Sequence, residues 1–356
     1  MPKRARRLDK NRFTGCLLGG AVGDALGAPV EFWSLRRIRR VLGPSGVTKF
    51  VRDSGYGRVG AITDDTQMTL FTAEGLIRGH NRHQDRGIGA LDVVVWRSYL
   101  RWLETQGERS HELDHSGRDG WLYSIPELRH QRAPGTTCLE ALRSGRMGTM
   151  RRRLNQSKGC GGVMRAAPVA LAFADPFRDA CRFAAITHGH PTGYLAAGTF
   201  AVVLRGCLEG QPLQAAIRRA LEELKRHRQH RECLAAVKEA LELAAQAKPT
   251  PETVEKLGKG WIAEEALAIA LFCALTARDF KSGVLTAVNH SGDSDSTGSM
   301  TGNILGAIHG VSAIPRNWLR HLELREVIET VAEDMFIHLA GPPPRPRIDV
   351  GRYPTW

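Results

Sequence analysis

The sequence predicts an all-α protein. Apolar residues recur at three- and four-residue intervals in most segments, no series of alternating strands is present, and glycines repeat every four residues near both ends. The period is plainest at 90–105 (ALDVVVWRSYLRWLET), 212–227, 231–247 and 263–277, which are predicted as helices. Between them, 43–62 and 107–136 are rich in Gly, Pro, Ser and charge and read as loops.

The glycine rows organise the rest. Gly15, Gly19, Gly23 and Gly27 form one row, and Gly298, Gly302, Gly306 and Gly310 the other. A glycine inside a helix costs roughly 0.5–1 kcal/mol relative to alanine, so eight of them need a compensating contact. Four-residue spacing puts each row on one helix face, where a second backbone can approach closely. Neither segment offers the ~18 uninterrupted apolar residues of a membrane span, so both are expected to be inner helices of a soluble bundle. If the rows pack together, the two ends of the chain share one core. The expectation is therefore a single domain over 12–340, with a basic arm at 1–11. The Pro-rich 341–356 (GPPPRPRIDVGRYPTW) is expected as an extended tail or a strap.

The 356 residues are 42% hydrophobic and 24% charged, enough to bury a sizeable core and too apolar for global disorder. Net charge is +13, with clusters at 2–12, 36–40 (RRIRR), 151–153 (RRR) and 225–231 (KRHRQHR). That balance attracts phosphorylated or polyanionic partners and leaves nucleic acid open, although runs without interleaved aromatics read first as solvated helix faces. Seven cysteines, an odd number without CxxC spacing, argue against a disulfide framework or zinc ribbon. With no secretory signal apparent, the expected location is the cytoplasm.

Two acidic clusters can do chemistry. Thr63, Asp64 and Asp65 precede a helical pattern in ITDDTQMTLFTAEGLI, and Asp293 and Asp295 lie in SGDSDSTG before the second glycine row. Each alone reads as a helix cap, since hydroxyls and carboxylates satisfy free amides and oppose the helix dipole. A cap uses one such side chain, however, and each cluster supplies more. Converging, four aspartates would repel one another unless cations sat between them. Hard divalent ions take oxygen ligands, and four carboxylates balance two Mg²⁺. No His/Cys spacing competes for zinc.

These motifs occur in order with GCLLGGAVGDALGAPVEF, PGTTCLEALRSG, KGCGGVMRAAP and THGHPTGYLAAG over roughly 12–340, and together they resemble the ADP-ribosylglycohydrolases. GCGGVMRA, THGHPTGYL and SGDSDST bring the chain nearest the ADP-ribosylarginine hydrolase branch, with the dinitrogenase-reductase-activating glycohydrolase another similar branch. The resemblance implies a compact orthogonal helical bundle holding two Mg²⁺, with Mn²⁺ as the substitute. It implies ligands Thr63, Asp64, Asp65, Asp293, Asp295 and Ser296, with Thr297 the alternative hydroxyl. Glu31 matches the family's mobile acidic residue near the metals, and Glu31 or Asp65 would activate water.

Residues 158–168 match the loop that receives the ADP-ribose diphosphate, which assigns substrate binding to Gly159, Cys160, Gly161, Gly162, Val163 and Met164. His188, Ser291 and Gly292 are assigned to the same role, whereas His190 before Pro191 reads as a turn residue. Cys160 stands where many relatives have Asn and is not expected to be a nucleophile.

The reaction implied is cleavage of the bond between C1 of the distal ribose and an arginine guanidine nitrogen of a modified protein. The alternatives keep the fold and change the linkage to ADP-ribosylserine, O-acetyl-ADP-ribose or ADP-ribosylated nucleic acid. Other readings are immunity against a cognate ADP-ribosyltransferase or toxin and, last, a non-catalytic homologue.

Overall fold

A computed structural model of the chain describes residues 8–52, 55–87, 89–114, 117–340 and 349–355. Among these residues seventeen α-helices follow one another, and the only extended pairings are isolated bridges. The first half holds α1 (Lys10–Gly27), α2 (Leu35–Leu42), α3 (Asp64–Arg86), α4 (Leu91–Thr105), α5 (Trp121–Ser124), α6 (Thr136–Arg143), α7 (Ala167–Ala172) and α8 (Phe177–Ala184). The second holds α9 (Pro191–Leu208), α10 (Leu213–Leu224), α11 (Arg231–Gln246), α12 (Pro251–Val254), α13 (Ala263–Thr276) and α14 (Phe280–Val288). It ends with α15 (Ser294–His309), α16 (Arg316–His321) and α17 (Arg325–Met335).

The four stretches with the plainest period are α4, α10, α11 and α13. Residues 43–62 and 107–136 are largely irregular, apart from α5 and a 3₁₀ turn at Pro126–Leu128.

The glycine rows meet. A Cβ at Gly19 would lie 2.3 Å from the carbonyl oxygen of Gly302, one at Gly23 would lie 2.0 Å from that of Gly298, and one at Gly306 would lie 1.9 Å from that of Gly15. Helices α1 and α15 therefore run antiparallel with backbones in contact, a crossing that any side chain in the rows would force apart. Lys10–Val30 is long and apolar enough to cross a membrane, yet 83% of its apolar window is buried inside this protein, as befits a core helix.

Packing around this pair follows apolar patterning. Helices α9 and α13 are apolar nearly all round and lie inside, whereas α10 and α11 bury one stripe and expose the other. One hydrophobic cluster reaches from Phe13 to Tyr353.

The chain end departs from a free tail. Residues 1–7 and 341–348 lie outside the described residues, but 349–355 straps onto the core. Tyr353 is fully buried, its hydroxyl donates to Asp334 Oδ2 at 2.9 Å, and its carbonyl accepts from Asn81 Nδ2 at 3.1 Å. Burying the ring while satisfying both polar groups makes the strap part of the domain.

Candidate active site

Asp64 and Asp65 open α3, with Thr63 as its cap: Thr63 Oγ1 accepts from the Asp65 amide at 3.3 Å. The start of α3 is fixed from α1 by Asp24, whose carboxylate accepts from the Thr63 amide at 3.0 Å and the Thr66 amide at 3.2 Å, and also from the Thr66 hydroxyl. The loop preceding α6 closes over the same end, where the Asp64 amide donates to Arg132 O and Asp64 Oδ2 accepts from the Gly135 amide at 3.1 Å.

Asp293 caps α15, its Oδ1 accepting from the Ser296 amide at 3.3 Å; Asp295 Oδ1 accepts from the same amide at 3.0 Å. Ser296 then joins the clusters directly, donating from Oγ to Asp65 Oδ2 at 3.2 Å across 231 positions of sequence. Glu31, at the exit of the turn after α1, brings a carboxylate oxygen into a group with Asp293 and Asp295 whose ligand atoms all lie within 4.8 Å of one another.

The result is a concentration of negative charge with no internal neutraliser. Among the described residues, none of Asp24, Glu31, Asp64, Asp65, Asp293 and Asp295 has a Lys or Arg within ion-pair distance, though a buried carboxylate is normally paired. Burial first, then the charge of Asp295, pushes Glu31 up to about 12 and Asp24 up to about 7; Asp64 and Asp65 are raised by the same causes. Asp293 is likewise raised by burial and then by Asp295. Asp65 Oδ1 is buried without a hydrogen-bond partner. An orphaned buried oxygen in an all-oxygen, anionic donor set is what a hard divalent cation fits.

Above this floor lies a cleft of about 310 Å³. It is lined by Glu31, Asp64, Asp65, Asp293 and Ser296 below, by Pro134–Thr137 on one side, and by Gly159–Gly161, Met164 and His188 on another. Among the described residues no Lys or Arg lines it. Cys160 sits in a 3₁₀ turn and donates through Sγ to Asp293 Oδ2 at 2.8 Å; burial raises its thiol, which keeps it protonated and a poor nucleophile. A Cβ at Gly161 would lie 2.9 Å from His188 Cε1 and from Cys138 Sγ, so the turn passes between them only as glycine.

His188 is buried and accepts or donates through Nδ1 with Thr187 Oγ1 at 2.8 Å. Burial, reinforced by Arg165, lowers its pKa to about 3, so the ring faces the cleft uncharged.

The remaining assigned residues fall elsewhere. Gly162 and Val163 are buried beside the cleft without lining it. Ser291 and Gly292 are architectural neighbours of the site: Ser291 Oγ accepts from the Leu35 amide at 2.8 Å, and a Cβ at Gly292 would lie 2.0 Å from Lys259 O. The Thr297 hydroxyl points into the helix pair, donating to Asp293 O at 2.8 Å, which leaves Ser296 as the hydroxyl facing the carboxylates. His190 is a cap and not a turn residue: its ring accepts from the Thr192 amide at 3.2 Å at the start of α9.

Three residues escaped sequence reasoning. Asp24 was visible only as a charge interrupting an apolar glycine helix. Phe32, 68% exposed and at φ 65°, stacks on Trp261 at the cleft wall with ring centroids 5.1 Å apart. Nothing local in the sequence links those two rings.

Known proteins resemble the chain over this same architecture. The profile of the ADP-ribosylglycohydrolase family matches residues 5–345. The ADP-ribosyl-[dinitrogen reductase] glycohydrolase of Rhodospirillum rubrum is 29% identical, covering 93% of this chain and 97% of its own. The ADP-ribosylarginine hydrolase Tri1 of Serratia proteamaculans is 25% identical over 92% of this chain and 79% of its own. A solved ADP-ribosylglycohydrolase-related protein complex superposes with a TM-score of 0.69 at 29% identity, covering 94% of this chain and 99% of that one.

Proposed function

The chain belongs to the ADP-ribosylglycohydrolase family, hydrolases of ADP-ribose linkages, and we propose that it releases ADP-ribose from modified arginine side chains of proteins. The observation that carries the reading is the cleft itself: two carboxylate clusters joined through Ser296 and Asp65, opposite a glycine turn, with no Lys or Arg in the lining among the described residues. Such a lining favours a cationic guanidinium on the leaving side over a neutral serine oxygen.

Thr63, Asp64, Asp65, Asp293, Asp295 and Ser296 would hold two Mg²⁺, or Mn²⁺ in their place. When bound, the ions supply charge to grip the vicinal ribose hydroxyls and to acidify water. The protein's own groups do the rest. With no Lys or Arg in the lining among the described residues, the Gly161 amide and the Thr136 hydroxyl are the donors offered to the diphosphate, the Gly159 and Cys160 amides being taken by Ser157 and Trp261. Neutral His188 bounds that pocket without competing for the phosphates as a charge. Ser296 holds the Asp65 carboxylate in one orientation.

With cations bound among the aspartates, the neighbouring charge that adds to burial in raising Glu31 is offset, leaving it ionised; half-buried at the mouth, it takes the proton of the attacking water as the water oxygen bonds to C1. The C1–N bond breaks with its electron pair going to nitrogen, and the departing guanidine receives the proton from Glu31. The carboxylates offset positive charge growing on the sugar ring.

The seven cysteines are free, which suits a reducing cytoplasm. The test is hydrolysis of defined arginine, serine, O-acetyl and nucleic-acid ADP-ribose linkages, with Mg²⁺ and after exhaustive chelation. Cation-dependent release from arginine is expected to dominate. Faster turnover of another linkage, or full activity after chelation, would overturn the reading.

A further inference from the structure

Two arginine-rich stretches far apart in sequence meet on the surface. Arg153 Nη2 donates to Gln229 Oε1 at 3.5 Å, which brings residues 151–153 against 225–231 across 76 positions. Phe177 stacks on His227 with centroids 4.5 Å apart, and its neighbour Arg178 lines a surface groove of about 370 Å³ together with Arg151 and Arg182. The same segment leads into the active site. Asn155 and Ser157 tie it to the His188 turn through the Gly189 amide at 3.0 Å and the His190 amide at 3.1 Å, and Gly159 and Cys160 then enter the cleft wall.

Charge pairing divides the cations here into two groups. Arg182 pairs with Asp92 and Asp179, Arg226 with Glu223, and Lys158 with Glu232 and Glu264. Arg151, Arg152, Arg153, Lys225, Arg228 and Arg231 are exposed and have no carboxylate within ion-pair distance among the described residues. A Cβ on Gly189, next to the cleft residue His188, would lie 2.9 Å from Arg153 Cβ, so this uncompensated cationic patch lies behind the His188 wall of a cleft whose floor is anionic. The floor does not need the patch to neutralise it, because none of these cations reaches the buried carboxylates.

We infer that this patch docks an acidic protein surface surrounding the modified arginine, so that the enzyme selects substrates by the charge next to the scissile linkage. The inference rests on the arginine-hydrolase reading above. Exposed guanidinium forks suit carboxylates, and such a patch raises encounter rate and discriminates between partners more than it adds affinity. A single-stranded nucleic acid would instead need exposed aromatic platforms; Phe177 and Tyr194 are buried, and one face of the His227 ring is covered by Phe177.

The experiment compares two ADP-ribosylated arginine peptides of equal length, one flanked by Asp/Glu and one by Lys, with free ADP-ribosylarginine as the small substrate. Wild type and the triple variant Arg152→Glu/Arg153→Glu/Arg228→Glu are assayed in low and high salt. Binding of the unmodified peptides is read in parallel by fluorescence anisotropy, and a DNA duplex is included as a competitor.

In wild type the acidic peptide should exceed the basic one in kcat/KM by about tenfold at low salt, with the gap collapsing in high salt. The triple variant should reverse the order while turning over free ADP-ribosylarginine at the wild-type rate. Equal peptides in kinetics and anisotropy, or a preference that survives the triple substitution, would overturn the docking surface. Duplex competition lost in the variant, with no peptide preference, would overturn it in favour of nucleic acid. Failure to hydrolyse free ADP-ribosylarginine would count against the linkage reading instead, and anisotropy would still decide the docking surface.

Discussion

Helix α3 buries carboxylates in two ways. In its middle, Glu74 is fully buried between Arg101, whose Nη2 lies 2.9 Å from Oε2, and Arg78, whose Nη1 lies 3.3 Å from Oε1. At its start, Asp64 and Asp65 are as deeply buried among Asp24, Asp293 and Asp295, and no Lys or Arg of the described residues is within ion-pair distance. The first arrangement is complete in itself and is structural. The second is incomplete, and what it lacks is positive charge brought from outside.

Removing a carboxylate should therefore have opposite consequences at the two places. Asp65→Ala or Asp293→Ala is expected to lower hydrolysis by about 10²–10³-fold, the scale of losing a principal electrostatic group. The metal-free Asp65→Ala variant should melt no lower than metal-free wild type, because a source of repulsion is gone, whereas Asp293→Ala also loses the cap of α15. Calorimetric melting after chelation, alongside kcat, checks both halves.

Glu74→Ala takes the shared carboxylate from two buried guanidinium groups, leaving Arg78 with Asp119 and Arg101 with the Ser98 hydroxyl, and should cost about 3–5 kcal/mol of stability, read by urea denaturation. Whatever remains folded should keep its cation affinity. A Glu74 variant as stable as wild type would erase the distinction.

The helix pair that carries the second cluster can be stressed without touching a carboxylate. Gly302→Ala places a Cβ 2.0 Å from Gly19 O and should destabilise by about 1–3 kcal/mol through overpacking. Because α15 positions Asp293 and Asp295, cation affinity should weaken too. Unchanged affinity would mean that the cluster tolerates movement of its helix.

The smallest effect concerns the uncharged cleft wall. His188 is held neutral by burial, with a folded pKa of about 3 against 6.5 for the free side chain. Between those values the unfolded chain binds more protons, so stability falls on acidification by up to about 1.4 kcal/mol per pH unit from this residue. It is fully present above pH 6.5. Replacing His188 with Gln should flatten that limb of the stability profile below pH 6.5, and an unaltered slope would show that the ring titrates freely.

Much of this comparison was legible in the sequence, and for identifiable reasons. The glycine rows have one good physical use, close helix contact, so their spacing foretold the crossing of α1 and α15. The doubled aspartates exceeded what caps require, which pointed to convergence. Asp24 escaped because its role is defined by amides 39 and 42 positions away. The strap was one of two expectations for the chain end, but the Glu74–Arg101 pair and the burial of Tyr353 against Asp334 were invisible, since charge and burial in a sequence do not say who sits opposite whom. Ser291 and Gly292 illustrate the converse: they adjoin the acidic motif, yet their contacts with Leu35 and Lys259 turn them toward architecture.

The most direct test of the central claim is the stoichiometry of Mn²⁺ binding, measured by equilibrium dialysis with electron paramagnetic resonance of the bound ion. Wild type and Glu74→Gln should each hold two ions in a spin-coupled signal, and Asp65→Ala and Asp293→Ala should each lose it. Absence of a bound-ion signal in wild type, or two ions retained after either aspartate is removed, would contradict the account.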